Sequence, residues 1–282
     1  MILDDIKQII TKEREKNSSD LYIKTAIKEY LQIYVLNFIY THSVYSKNFI
    51  FTGGTCLRRC FGLNRLSEDL DFDLIKPVDA EKLKGDLTEY FYKKYLYKDV
   101  YIKTGQKGRQ VLLKFPILRT LGLATKSESD LLYVKVDLSL VESKSYKTLT
   151  TLKSTYNFNY IITHYDLPTL MASKIATVLT RSRFIGKENI KIIKGRDYFD
   201  LLWFLENKVY PDLKRINDSL EKKYSLTEVI GLVDEKVNLA VVKQKNYFKQ
   251  DLLPFIDNQE VVDPHINSYV ENYNLYKRYL LS

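Results

Sequence analysis

The sequence predicts an α+β fold, a mixed sheet with flanking helices followed by a helical carboxyl-terminal half. Three observations predict it. Asp69, Asp71 and Asp73 alternate with Leu70, Phe72 and Leu74, the period of two that belongs to a strand with one polar and one apolar face. Helical periodicity precedes this strand over residues 4 to 45 and returns from Asp166 to the end. Between them lie further strand-like runs, and helices, then strands among helices, then helices again is an α+β order.

Taken in order, Ser18-Ser19-Asp20 divides the first helical region in two, with Asp20 as the expected cap of the second segment. There Ile23, Ile27, Tyr30, Leu31, Val35 and Ile39 trace an apolar stripe. Asn48 to Thr52 reads as a short strand stopped by Gly53-Gly54, and Cys56 to Phe61 as a helix ended by Gly62. The aspartate strand follows, then a helix from Ala80 to Tyr97 with Asp79 at its start. Val100 to Lys103 and Gln110 to Leu118 flank Gly105-Gln106-Lys107-Gly108 as a hairpin. Leu132 to Val141 is a strand with Lys135, Asp137 and Ser139 on one face and Val134, Val136 and Leu138 on the other. From Asp166 the pattern stays helical, broken near Gly186, Gly195, Pro211, Pro254 and Pro264. The expected divisions are residues 1–47 as helices packing on the core, 48–165 as the α/β core, and 166–282 as the helical domain.

At 282 residues and 45% hydrophobic content the chain can fill a real core, and an ordered chain is expected. The opening residues lack the basic-then-apolar pattern of a signal peptide. No apolar run approaches the roughly 18 residues a membrane helix needs, so a cytoplasmic chain with no membrane partner is expected. Cys56 and Cys60 read as buried thiols, since His42, His164 and His265 are not at zinc-binding spacing. A net charge of +9 suggests an anionic partner, nucleic acid or nucleotide phosphates, although a solvated basic surface has the same charge.

Against that charge, three carboxylates about 6.5 Å apart on one strand face need a reason. A solvated edge strand would show the same alternation. Two carboxylates at i and i+2 can also point together at a divalent metal, which takes one or two carboxylates plus substrate phosphates. Asp137, on the polar face of an otherwise apolar strand, is the candidate third ligand for a two-metal site. Gly53 and Gly54 permit close backbone approach, and Thr55 opens a helix whose free N–H groups favour phosphate.

The run GGTCLRRCFGLNRLSEDLDFDL resembles the signature of the AbiEii/AbiGii abortive-infection toxins, which have a polymerase-β-type nucleotidyltransferase fold. The matching residues are Gly53, Gly54 and Thr55, then Arg65, Ser67, Asp69, Leu70, Asp71 and Phe72, with Asp73 outside the motif. Later and looser matches are Asp137 on its strand, Lys174 on a helix, and Arg196-Asp197-Tyr198-Phe199-Asp200-Leu201. The resemblance spans about Phe51 to Leu205. It implies metal-dependent transfer of a nucleotide from a nucleoside triphosphate, with Mg²⁺ (or Mn²⁺) held by Asp69, Asp71 and Asp137. Gly53, Gly54, Thr55, Arg65, Ser67, Lys174 and Arg181 would bind the nucleotide, and Lys174 and Asp197 would join Asp69, Asp71 and Asp137 as catalytic residues. It further implies a toxin that blocks translation, with an RNA acceptor, tRNA at its acceptor end, and a separately encoded antitoxin.

On the residues alone, Lys174 sits at the edge of the stripe formed by Leu170, Met171, Ile175, Val178 and Leu179, where a snorkelling lysine is equally at home. Asp197 and Asp200 share a face with Leu201 and Phe204 and need a cationic partner from Lys174, Arg181 or Arg196. Arg181, Arg183, Lys187, Lys191, Lys194 and Arg196 face a single acid, Glu188, in what reads as a basic loop for phosphate. A non-catalytic nucleotide-binding switch remains the alternative, and it does not require all three carboxylates. A basic nucleic-acid-binding protein would leave the pairing of Gly-Gly-Thr with Asp-x-Asp unexplained.

Overall fold

A computed structural model describes residues 2–181, 183–185 and 190–281, the strand residues 183–185, 190 and 191 as backbone. Gly186, Lys187 and Glu188, and the side chains of Arg183 and Lys191, lie outside the described residues. The chain forms two compact units, the first of residues 1–141 and 148–164, the second of residues 142–147 and 165–282.

The first unit opens with α1 (Ile2–Glu15) and α2 (Asp20–Thr41). The cap of α2 is Ser19 rather than the expected Asp20, its hydroxyl accepting from the amide of Tyr22. The sequence shows a stripe along α2, yet every residue from Glu29 to Tyr40 is buried. A helix apolar nearly all round belongs inside the protein, and Tyr40 reaches the sheet, its ring 6.4 Å from that of Phe72.

β1 (Phe49–Thr52) leads into α3 (Gly53–Phe61), which begins three residues earlier than its sequence pattern and ends at left-handed Gly62. β2 (Asp69–Leu74) follows, then α4 (Ala80–Tyr95), capped by Asp79. β3 (Tyr101–Gly105) and β4 (Gln110–Pro116) form the expected antiparallel hairpin, and β5 (Leu131–Leu140) the expected strand. β6 (Thr148–Thr155) and β7 (Phe158–Tyr165) complete a seven-stranded sheet in the order β3-β4-β5-β2-β1-β7-β6. β2 runs antiparallel to β1 and parallel to β5, so the sheet is mixed.

The last hairpin had no sequence signal. Its two-residue turn, Tyr156-Asn157, carries positive φ at both positions, 46° and 64°, where Asn-Gly is the usual signature. Strand β6 is the sheet's edge, with Leu149 and Leu152 exposed, so no apolar alternation marks it.

The second unit holds α5 (Leu167–Thr180), capped by Asp166. The helical pattern expected from here to the end is interrupted by an antiparallel ribbon, β8 (Arg183–Ile185) with β9 (Ile190–Ile192). The expected basic loop is therefore in part a β-ribbon. α6 (Gly195–Glu206), α7 (Leu213–Leu220), α8 (Leu226–Asn238), α9 (Lys245–Leu252), α10 (Val262–Asn267) and α11 (Tyr269–Tyr276) follow. Among the described residues no helix is long and apolar enough to cross a membrane.

Candidate active site

The central strands set the site. Leu70, Phe72 and Leu74 of β2, with Val134, Val136 and Leu138 of β5, are buried in the core. Period-two alternation then puts Asp69, Asp71 and Asp73 with Lys135 and Asp137 on the opposite face. The parallel register aligns Asp69 with Lys135 and Asp71 with Asp137. Asp73 aligns with Ser139, one pair farther along.

The repulsion among these carboxylates is answered within the chain. Lys135 Nζ lies 3.2 Å from Asp69 Oδ2 and 3.1 Å from Asp137 Oδ2. Burial disfavours a charged lysine there, but the two aspartates outweigh it and hold the Lys135 pKa above its ordinary value. Gln110 on β4 donates from Nε2 to Asp137 Oδ1 at 2.8 Å and fixes that carboxylate from the other side. An ammonium held between two carboxylates marks a place built for positive charge. That donor set, carboxylate oxygens partly open to solvent, suits a hard divalent cation.

The glycines make room for the site's own side chains. Gly53 has φ +76°, and a Cβ there would overlap Asp71 Oδ2 and lie 2.8 Å from Asp71 Cγ. A Cβ on Gly54 would lie 2.7 Å from an Arg65 guanidinium nitrogen and 3.1 Å from Ser67 Oγ. So the start of α3 packs directly under Asp71, Arg65 and Ser67, leaving the first backbone N–H groups of a nine-residue helix beside the carboxylates. The Thr55 hydroxyl is fully buried and donates to the carbonyl of Asp69, tying α3 to β2.

Two buried residues of α2 support the segment that leads into β2, and no motif in the sequence pointed to them. Glu29 Oε1 accepts from the Ser67 amide at 3.0 Å and pairs with Arg58 at 3.4 Å. Gln32 donates to the Ser67 carbonyl at 3.2 Å. Arg65 is 4% exposed and donates to the Leu66 carbonyl at 2.8 Å. The one signal for Glu29 and Gln32 is their position as polar residues inside a helix that is otherwise apolar.

A second charged cluster lies within the second unit. Lys174 on α5 sits 2.9 Å from Asp197 Oδ1 and 2.8 Å from Asp200 Oδ2, both on α6. Arg181, at the end of α5, also pairs with Asp197. Asp200 is fully buried and Asp197 nearly so. Burial alone would raise the Asp197 pKa, but Lys174 and then Arg181 overcome it and hold the carboxyl well below the usual range. Asp197 also lies in the first turn of α6, where the helix dipole favours a negative charge. Of the three cations expected to serve these aspartates, Lys174 and Arg181 do so. Arg196 pairs instead with Asp251 at 3.3 Å and stacks on Phe255.

The two cysteines are free thiols as expected, Cys56 buried and Cys60 half-buried. The expectation that no histidine stands at useful spacing is corrected by the fold. Strand β7 brings His164 to α3, and the ligand atoms of Cys56, Cys60 and His164 all lie within 4.8 Å of one another. A spacing of more than 100 residues along the chain concealed the contact. A cavity of about 590 Å³, lined by residues that include Tyr45, Asn48, Ile75 and Asp79, lies at the opposite end of β1 and β2. It contains none of the predicted site residues.

Comparison with known proteins identifies the family. The chain matches the family described as "Nucleotidyl transferase AbiEii toxin, Type IV TA system" over residues 37–271. Its fold resembles the crystal structure of JHP933 from Helicobacter pylori, with TM-score 0.50 and 15% identity over 91% of this chain and 93% of that one. A structure described as a nucleotidyltransferase from H. pylori aligns with TM-score 0.49 and 16% identity, covering 90% and 94% of the two chains. MenT4, a nucleotidyltransferase toxin from Mycobacterium tuberculosis, aligns with TM-score 0.48 and 13% identity, covering 93% and 98%. No curated protein matches the sequence.

Proposed function

Because the chain belongs to the AbiEii family of nucleotidyltransferase toxins, we propose that it transfers a nucleoside monophosphate from a nucleoside triphosphate to the acceptor end of tRNA. The observation that supports the assignment of Asp69 and Asp137 is the Lys135 ammonium seated between them, and Asp71 joins them as the register partner of Asp137. Mg²⁺ or Mn²⁺ bound there would neutralise charge on the triphosphate as the bond to pyrophosphate breaks.

The chain's own residues would do the rest. Asp137, oriented by Gln110, accepts the proton of the acceptor hydroxyl as that oxygen bonds to the α-phosphorus. The N–H groups of Gly53, Gly54 and Thr55 hold phosphate oxygens, and Arg65 and Ser67 keep the loop before β2 in place. Lys174 and Arg181, which the family resemblance would turn to the triphosphate, pair with Asp197 and Asp200 inside the second unit, Asp197 being the positioning carboxylate. Catalysis of this kind is positioning and electrostatics with little covalent work by the protein.

The family resemblance suggests the RNA acceptor, and the charge agrees with it. A net +9 serves an RNA backbone and is not needed for a small-molecule acceptor. The toxin would therefore act in the cytoplasm, on translation, and a type IV system supplies a separate antitoxin as its partner. Growth after induction tests the assignment: Asp69→Asn and Asp71→Asn should each abolish growth arrest with the circular dichroism spectrum unchanged. Full toxicity in either variant rules out the metal assignment. Asp137→Asn should bind nucleotide yet fail to turn over, whereas a nucleotide-binding switch would keep its effect on growth.

A further inference from the structure

We infer that Cys56, Cys60 and His164 form a binding site for a thiophilic d¹⁰ cation, Cu⁺ or Zn²⁺, separate from the aspartate site. Cys56 and Cys60 lie four residues apart on α3 and so share a helix face. His164 comes from β7 and is the parallel register partner of Phe51 on β1. Two thiols and an imidazole are the soft donor set that Cu⁺ and Zn²⁺ select over Mg²⁺.

The geometry is close to what ligation needs. Their ligand atoms lie within 4.8 Å of one another, against roughly 3.8 Å for ligands around a tetrahedral zinc. Three donors complete a trigonal Cu⁺ site, and Zn²⁺ would take water as a fourth ligand from the exposed side of Cys60. Binding displaces one proton from each thiol to solvent and oxidises nothing.

The surroundings hold the imidazole in place and bring positive charge to the sulfurs. Thr151 Oγ1 lies 2.8 Å from His164 Nε2 and sets the ring, the kind of outer contact that orients a metal-binding histidine. The edge of the Phe61 ring packs on the imidazole, with centroids 5.1 Å apart and planes at 89°. Lys153 and Arg59 bring positive charge to the Cys60 sulfur, which offsets two thiolates around one cation. His164 itself is 1% exposed.

The consequence is mechanical. A cation here would clamp α3 to β7, and α3 carries Gly53 and Gly54 at its other end, under Asp71, Arg65 and Ser67. The soft-metal site would thus stiffen the platform of the aspartate site without entering it.

The test uses the full-length reduced protein. Apo-protein is titrated with Zn²⁺, and separately with Cu⁺ against a chromophoric chelator, while Co²⁺ serves as a spectroscopic probe. One equivalent bound, with thiolate-to-cobalt charge-transfer absorption, is expected. It should be lost in Cys60→Ser and kept in the Asp69→Asn/Asp71→Asn double variant. Alkylation of Cys60 in the unmodified protein should slow at least tenfold when the metal is added, a readout that needs no variant. Binding that survives Cys60→Ser, vanishes in the aspartate variant, or leaves the alkylation rate unchanged overturns the inference.

Discussion

The ammonium of Lys135 stands 3.2 Å from Oδ2 of Asp69, its direct register partner across the parallel pair of β2 and β5. A second carboxylate, Asp137, closes on the same nitrogen at 3.1 Å. On the proposed assignment the lysine does in the metal-free protein what a divalent cation would do in the loaded one, and the two would compete for one place. Replacing Lys135 by Met should lower the melting temperature in chelator by about 2 °C, the effect of roughly 1 kcal/mol in a chain of this size. Added Mn²⁺ should more than recover the loss, and the apparent Kd for Mn²⁺ should fall relative to the unmodified protein. Isothermal titration of both proteins checks this; weaker Mn²⁺ binding by Lys135→Met would mean the lysine supports the metal instead of displacing it.

Gly53 is fixed by conformation and by space. Its φ of +76° costs an alanine about 1–2 kcal/mol, and its missing Cβ leaves the volume that Asp71 occupies. Gly53→Ala should lower stability by that amount and push the Asp71 carboxylate aside. Mn²⁺ affinity and nucleotide transfer should then fall together, measurable on one preparation.

Glu29 never approaches the carboxylates, yet it holds the amide of Ser67. Glu29→Ala leaves that buried amide without its carboxylate, a cost of about 2 kcal/mol. Transfer should weaken through loss of order in the loop before β2. Glu29→Gln, which keeps an acceptor, should restore most of the activity. If both variants were equally impaired, the charge of Glu29 rather than its hydrogen bond would be the relevant property.

Asp197 gives a pH signature. Its folded pKa is depressed by Lys174 and Arg181 against the opposing effect of burial, so its stabilisation is complete above the ordinary carboxylate value of about 4. As pH falls below that value the unfolded chain takes up the proton first, and the contribution drains away toward the folded pKa. Asp197→Asn should destabilise the protein by about 3 kcal/mol at neutral pH, the cost of breaking a buried pair. That gap should narrow steadily as pH is lowered from about 5 to about 3. Thermal melts of both proteins across this range are the check.

The sequence made the centre of this structure readable where local pattern and long-range burial agree. β2 was legible because its alternation survives intact, three half-buried aspartates against Leu70, Phe72 and Leu74 in the core. Asp137 was legible for the same reason, and Lys174 with Asp197 because a charge on an apolar helix face calls for a partner. Lys135 was visible on the polar face, but its role depends on strand register, which no single strand encodes. Glu29 and Gln32 were hidden because they act on Ser67 across a tertiary contact. The β6–β7 hairpin escaped notice through its exposed edge strand and a Tyr-Asn turn that lacks glycine, and with it the approach of His164 to the cysteines.

The central claim is tested most directly by incubating the purified protein with Mg²⁺, each α-phosphate-radiolabelled nucleoside triphosphate in turn, and total bacterial RNA. The Asp69→Asn/Asp71→Asn double variant runs alongside. Label in a tRNA-sized band with the unmodified protein and none with the variant is the predicted result, and it names the nucleotide as well. Label of equal strength with both proteins, or none in RNA with any nucleotide, would contradict the assignment of this chain as a metal-dependent tRNA nucleotidyltransferase.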